Sequence, residues 1–166
     1  MKRLTPIAVA LLCSAVAFAD EPKNLLKPVN KADSWRFETH EGAQGKLEIV
    51  DDAAVFKAGR LTGTNWHIQA FQINLDLKEG QDYTLKIKMR AAQRRNVTVV
   101  ATIDKEDWHE IGLHEDVSLD KELKSFEFTF RASGVAEKKN RIGFVLGDET
   151  GDLIVKEISL TEKEKK

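Results

Sequence analysis

The stretch Asn65-Trp66-His67-Ile68-Gln69-Ala70-Phe71-Gln72 alternates as a β-strand does, yet both of its faces carry large or polar groups. A strand turns successive side chains to opposite sides. With Ile68 and Ala70 toward a core, His67, Gln69 and Phe71 point outward together. With the parity reversed, Trp66 and Gln72 point outward instead. The alternation changes phase between Ala70 and Ile73, the mark of a bulge that presents parts of both sets.

The same period of two dominates from Ser34 onward. Gly45 to Asp51 alternates with Leu47 and Ile49 on one face, and Ala53 to Ala58 follows an Asp51-Asp52 turn. Tyr83, Leu85, Ile87 and Met89 face one way while Thr84, Lys86, Lys88 and Arg90 face the other. Val97, Val99, Ala101 and Ile103 repeat this after an Arg94-Arg95-Asn96 turn, and Phe126, Phe128 and Phe130 repeat it with rings. Ile142, Phe144 and Leu146 come next, and Leu153 to Leu160 closes the series with one slip near Lys156-Glu157. Turn signals such as Glu41-Gly42, Glu79-Gly80, Ser133-Gly134 and Gly147-Asp148 separate these runs. No run of helical length carries an apolar stripe of helical period. Short alternating strands with regular turns predict an all-β fold: a two-sheet antiparallel β-sandwich, specifically a jelly roll.

The chain begins with a different kind of segment. Lys2 and Arg3 precede an apolar run from Ile7 to Phe18, and Ala17-Phe18-Ala19 gives a small-x-small cleavage pattern before Asp20. Residues 1–19 read as a secretory signal peptide, too short for a membrane span. Leu12 is bulky where a lipoprotein site wants a small residue, so Cys13 leaves with the leader. Residues 20–166 then form a single β-sandwich domain without cysteine, large enough to bury a core without disulfides. Removing Lys2 and Arg3 from 26 basic residues leaves 24 against 27 acidic ones, a net charge of −3. That balance predicts no nucleic-acid partner, and no further run is apolar enough for membrane insertion. Asp20 to Lys31 reads as an extended segment along a sheet edge, and 160–166 as a charged tail that frays from Thr161. A periplasmic or secreted protein is expected.

From Trp66 to Tyr83 the spacing takes the form W-x-[IV]-Q-x-x-Q-x-x-L-x-L-x-x-G-x-x-Y, carried by Trp66, Ile68, Gln69, Gln72, Leu75, Leu77, Gly80 and Tyr83. Asn24-Leu25-Leu26, Trp35, Arg95-Asn96-Val97-Thr98-Val99, Phe126-Glu127-Phe128-Thr129-Phe130, Phe144-Val145-Leu146-Gly147 and Val155-Lys156-Glu157-Ile158-Ser159-Leu160 flank it in order. Together they resemble carbohydrate-binding modules of families four, nine and twenty-two, which are galactose-binding-like jelly rolls. The resemblance implies a non-catalytic module that holds a polysaccharide or glycan in a cleft on a sheet face. It also implies a structural calcium bound through an Asp of the final strand. Here Lys156 takes that position, and an ammonium cannot supply a calcium ligand. The expectation is therefore no metal and no cofactor, with Lys156 paired to a nearby carboxylate.

Sugars are held by rings that cover C–H faces and by amides, carboxylates and guanidinium forks that reach hydroxyls. Residues of those types make Trp66, His67, Gln69, Gln72, Arg95 and Trp108 the candidate ligand contacts. Trp108 lies in the polar loop Asp104-Lys105-Glu106-Asp107-Trp108-His109, and Trp35 is assigned to the core. His109-Glu110 and His114-Glu115 invite a zinc reading, but their five-residue spacing does not fit the helical zinc motif. There is no nucleophile elbow, phosphate loop or cysteine nucleophile, so no enzyme is expected. The alternative function is a periplasmic or secreted protein-interaction β-sandwich without sugar binding. It gains from the absence of a catalytic domain to which such a module is ordinarily tethered.

Overall fold

The structure, a computed structural model, describes residues 22–163. The leader, its cleavage site and Cys13 lie outside the described residues. Ten strands form two five-stranded antiparallel sheets. They are β1 (Arg36–Thr39), β2 (Gln44–Val50), β3 (Ala53–Arg60), β4 (Ile68–Leu75) and β5 (Asp82–Ala91). β6 (Arg95–Ile103), β7 (Glu110–Leu119), β8 (Lys124–Arg131), β9 (Asn140–Val145) and β10 (Gly151–Glu162) complete the set. One sheet has the order β1-β4-β9-β6-β7, the other β2-β3-β10-β5-β8. Among the described residues no helix is long and apolar enough to cross a membrane, and only two short 3-10 turns, Ala32–Ser34 and Asn65–His67, interrupt the strands.

The inward faces carry the alternating apolar sets. Ile68 and Ala70 of β4, Val97, Val99, Ala101 and Ile103 of β6, and Ile142 and Phe144 of β9 meet Tyr83, Leu85, Ile87 and Met89 of β5 in one continuous core. Trp35 is the keystone. Its ring stands edge-on to Phe56 at 4.9 Å and stacks on Phe144 at 6.0 Å, while Nε1 donates to the Val29 carbonyl at 3.0 Å. Each such buried ring contributes about 1.5–3 kcal/mol by leaving water. The buried Tyr83 hydroxyl accepts from the Lys78 backbone N–H at 2.9 Å, and Gly80 supplies a left-handed turn between them. That explains the Gly80-to-Tyr83 spacing: the turn brings the chain back onto the ring that ends it.

Two strands carry irregularities, the first further along than the Ala70–Ile73 phase change read from the sequence and the second where the sequence slips. β4 slips register against β9 between Gln72 and Leu75, where Asn74 adopts φ 62. β10 slips between Val155 and Glu157. The extended N-terminal segment lies against β10, where Leu25 N–H donates to the Leu160 carbonyl at 2.8 Å and Asn24 Oδ1 accepts from Leu160 N–H at 2.9 Å. It takes the flank that β3, paired only as far as Val155, leaves open.

Other expectations are corrected. The turn before β6 is at residues 92–94, and Arg95 already lies in the strand. The tail begins as strand, because Thr161 and Glu162 pair with Thr84 and Tyr83. Lys156 Nζ donates not to a carboxylate but to the Asp51 backbone carbonyl at 2.7 Å. Its ammonium occupies the place where the resemblance would put an acid, so these residues do not fit the calcium. We expect a chelator to leave the midpoint of thermal unfolding unchanged; a clear fall would mean that an ion stabilises the native state.

Candidate functional site

Register alone builds a site on the outer face of the sheet that contains β4. Residues that face outward line up across its strands in three rows. Glu38, Gln69, Val145, Thr98 and Asp116 form the first. Arg36, Phe71, Gly143, Val100 and His114 form the second, and Arg141, Thr102 and Glu110 the third. Gly143 keeps the middle low, since a Cβ there would run into the Ala70 carbonyl of the neighbouring strand. The result is a cleft of about 780 Å³ with an apolar floor of Phe71, Val100 and Val145 and polar groups on both sides.

The two tryptophans stand at opposite ends of this cleft, Trp66 49% and Trp108 51% exposed. Trp66 is presented by the 3-10 turn that precedes β4. The turn is tied down from below, for Gly147 N–H donates to the Asn65 carbonyl at 2.8 Å and Gln69 Nε2 donates to the Trp66 carbonyl. His67 packs edge-on under the Trp66 ring at 4.2 Å, and His40 lies 5.6 Å from it. Trp108 sits in the β6–β7 loop, where Asp107 (φ 73) and Trp108 (φ 42) both take the left-handed conformation. Two such residues in succession are costly and need local hydrogen bonds to hold them.

His109 supplies those bonds. Its Nδ1 donates to Asp107 Oδ1 and its Nε2 to the Gly134 carbonyl, each at 2.7 Å. Both partners are acceptors, so the doubly protonated ring is the form that satisfies both. The Gly134 carbonyl first, then the Asp107 carboxylate, raise the His109 pKa above its ordinary value, against desolvation and the charge of Lys105. A raised histidine pKa stabilises the folded arrangement fully below the ordinary value, and that contribution is lost as pH rises through the raised one. The expected outcome is an emission change over that window in a Trp66→Phe variant, in which the buried Trp35 gives a constant background and Trp108 the response. His109→Gln should abolish it, and a pH-independent emission would refute the pin.

The floor also carries a ring of alternating charges. Arg36 makes a fork to Asp104, with Nη1 2.9 Å from Oδ2 and Nη2 2.5 Å from Oδ1, and its Nε lies 3.1 Å from Glu38 Oε1, off line for a hydrogen bond. The hydrogen bond to Asp104 raises the Arg36 pKa against the effect of burial. Arg141 lies over Phe71, its guanidinium carbon 4.1 Å from the ring centre, and Nε donates to Thr102 Oγ1 at 2.8 Å. On the far side His114 Nδ1 lies 2.5 Å from Glu110 Oε1.

Of the residues singled out in the sequence, the structure gathers Trp66, Gln69 and Trp108 in the cleft. His67, Gln72 and Arg95 are not in its lining. His67 is buried beneath Trp66 and pairs through Nδ1 with Thr62 Oγ1 at 2.6 Å. Gln72 faces the other way and clasps the backbone of Lys27, accepting its N–H at 2.7 Å and donating to its carbonyl at 3.1 Å. Arg95, 1% exposed, donates to the carbonyls of Gly151 at 2.6 Å and Leu146 at 2.9 Å. Arg36, Glu38, Asp104, Arg141 and Thr102 lie in the cleft without having been singled out. Their one sequence signal is a polar residue between inward-facing ones, as with Arg36 between Trp35 and Phe37.

A family model described as a carbohydrate binding domain matches residues 28–151. No protein of curated function matches the chain. Among solved structures, a family 4 carbohydrate-binding module is 21% identical, covering 87% of this chain and 96% of that one at a TM-score of 0.70. The second N-terminal cellulose-binding domain of Cellulomonas fimi β-1,4-glucanase C is 16% identical, with 88% and 98% covered and a TM-score of 0.68. A putative sugar-binding protein from Bacteroides thetaiotaomicron is 13% identical, with 85% and 100% covered and a TM-score of 0.62. At these identities the solved structures speak for the fold alone.

Proposed function

The chain belongs to the carbohydrate binding domain family, and from that premise we propose that it holds a polysaccharide or glycan chain, without cleaving it, in the cleft between Trp66 and Trp108. The observation that carries this reading is the pair of half-exposed indoles at the two ends of an apolar-floored cleft. A large ring left half in water lowers solubility unless it binds something. A pyranose offers the matching surface: C–H faces for the indoles and hydroxyls for the groups between them. Gln69, Thr98 and Thr102 supply uncharged polar groups along that path. That the glycan is held and not cleaved follows from the family, and the cleft carboxylates are each held by a basic side chain. Arg36 engages Glu38 and Asp104, and His114 engages Glu110.

The leader read over residues 1–19 supports export to the periplasm or the exterior, where such chains are met. Affinity electrophoresis over plant, algal and bacterial glycans tests the function. Retardation by at least one of them is expected. Uniform migration in all, with one stoichiometric protein recovered in a pull-down, would favour a protein-interaction module instead.

A further inference from the structure

The charge ring on the cleft floor is closed on one side and open on the other. Arg36 meets Asp104 and Glu38 at 2.5 to 3.1 Å. Arg141 Nη1 stands 3.8 Å from Glu38 Oε2 and 3.9 Å from Asp104 Oδ1, beyond hydrogen-bond reach of either. Among the described residues the one side-chain hydrogen bond of Arg141 is from Nε to Thr102. A guanidinium only 6% exposed thus lines the cleft with its terminal N–H groups unpartnered. Burial lowers its pKa, partly offset by Asp104 and Glu38. Both terminal nitrogens open onto the cleft and neither is taken up by the protein, so they are free to donate to an acceptor that enters it.

We infer that the two openings beside Arg141 each take a sugar hydroxyl, making Arg141, with Glu38 and Asp104, the determinant that selects neutral glycans over both uronates and amino sugars. The inference rests on the glycan reading of the same cleft. An oxygen seated off the line between Nη1 and a carboxylate oxygen lies about 2.8 Å from both. It must accept from the guanidinium and donate to the carboxylate, and a hydroxyl does both. A uronate oxygen there could accept but would face two carboxylates. A protonated amine could donate but would face the guanidinium. Each charged sugar therefore leaves one partner unsatisfied and meets a like charge besides, which is how a polar site rejects near-isosteres.

Calorimetry against cellohexaose, laminarihexaose and xylohexaose, and against hexagalacturonate and hexaglucosamine, tests this on the unmodified protein. At least one neutral hexamer is expected to bind, and both charged ones at least about tenfold more weakly. Arg141→Met, which keeps the stem on Phe71 but removes the donors, should weaken the neutral complex about 10- to 100-fold. Should that variant unfold early, Arg141→Lys keeps the charge without the fork and should show a similar loss. A charged hexamer bound as tightly as the neutral ones would overturn the inference and leave the glycan reading standing, as would a folded Arg141 variant of unchanged affinity. If no hexamer binds and no polysaccharide retards the protein in electrophoresis, the glycan reading fails and this inference falls with it; retardation by charged polysaccharides alone would overturn the inference only.

Discussion

Trp66→Ala and Trp108→Ala should each lower glycan affinity about 30-fold or more, and the double variant should bind nothing measurable. Each removes a half-exposed ring from one end of the cleft, so little core packing is lost. Trp66 has His67 edge-on beneath it and His40 beside it, and both remain after truncation. The fold should therefore survive, with an unfolding midpoint close to that of the unmodified protein. The measurement is calorimetry on the tightest glycan found by electrophoresis, with circular dichroism as the check on folding. Folded single variants of undiminished affinity would remove the basis for the proposed site.

The second large effect falls on stability. Arg95→Met should destabilise the domain by about 2–4 kcal/mol, since it leaves the buried Leu146 carbonyl and the half-buried Gly151 carbonyl without their donor. For a domain of this size that lowers the melting temperature by roughly 10 °C. Desolvation lowers the Arg95 pKa, while Glu149 and Asp148 in the β9–β10 turn and Asp152 at the start of β10 work against it. The residue thus fastens the start of β6 to that turn. Below the lowered melting temperature glycan affinity should equal that of the unmodified protein. A stable Arg95→Met protein with lost affinity would return Arg95 to the binding site.

The contrast between these two predictions marks where sequence reading succeeds. Strands with strict alternation, such as the Tyr83 to Met89 run, announce their buried face, because one methylene-rich side must meet another. The final-strand slip at Lys156-Glu157 was legible for the same reason. β7 was harder: the charged run His114-Glu115-Asp116 breaks its apolar series, and Gly112 adds a left-handed residue where the pairing shifts. The inward parity of the Trp66 strand needed the partner strands, which set Ile68 and Ala70 against the opposite sheet.

Site residues divide in the same way. An aromatic in a polar loop is conspicuous, and Trp108 stood out. Arg95 sits next to Arg94 in a segment that reads as a solvated turn, yet the two carbonyls that bury it come from residues 146 and 151. Glu38 and Arg141 are far apart in the chain and meet only because β4 pairs with both β1 and β9. No local spacing encodes such a ring. It becomes visible once register is known.

Glycan binding should be confined to the sheet face that carries Trp66 and Trp108. A nitrogen–proton correlation titration with cellohexaose, laminarihexaose and xylohexaose tests it most directly. The account predicts that at least one of them shifts the indole signals of Trp66 and Trp108 and the Gln69 amide together, while Lys86 and Lys88 on the outer face of the other sheet stay fixed. Shifts confined to that other face, or none with any of the three, would contradict it.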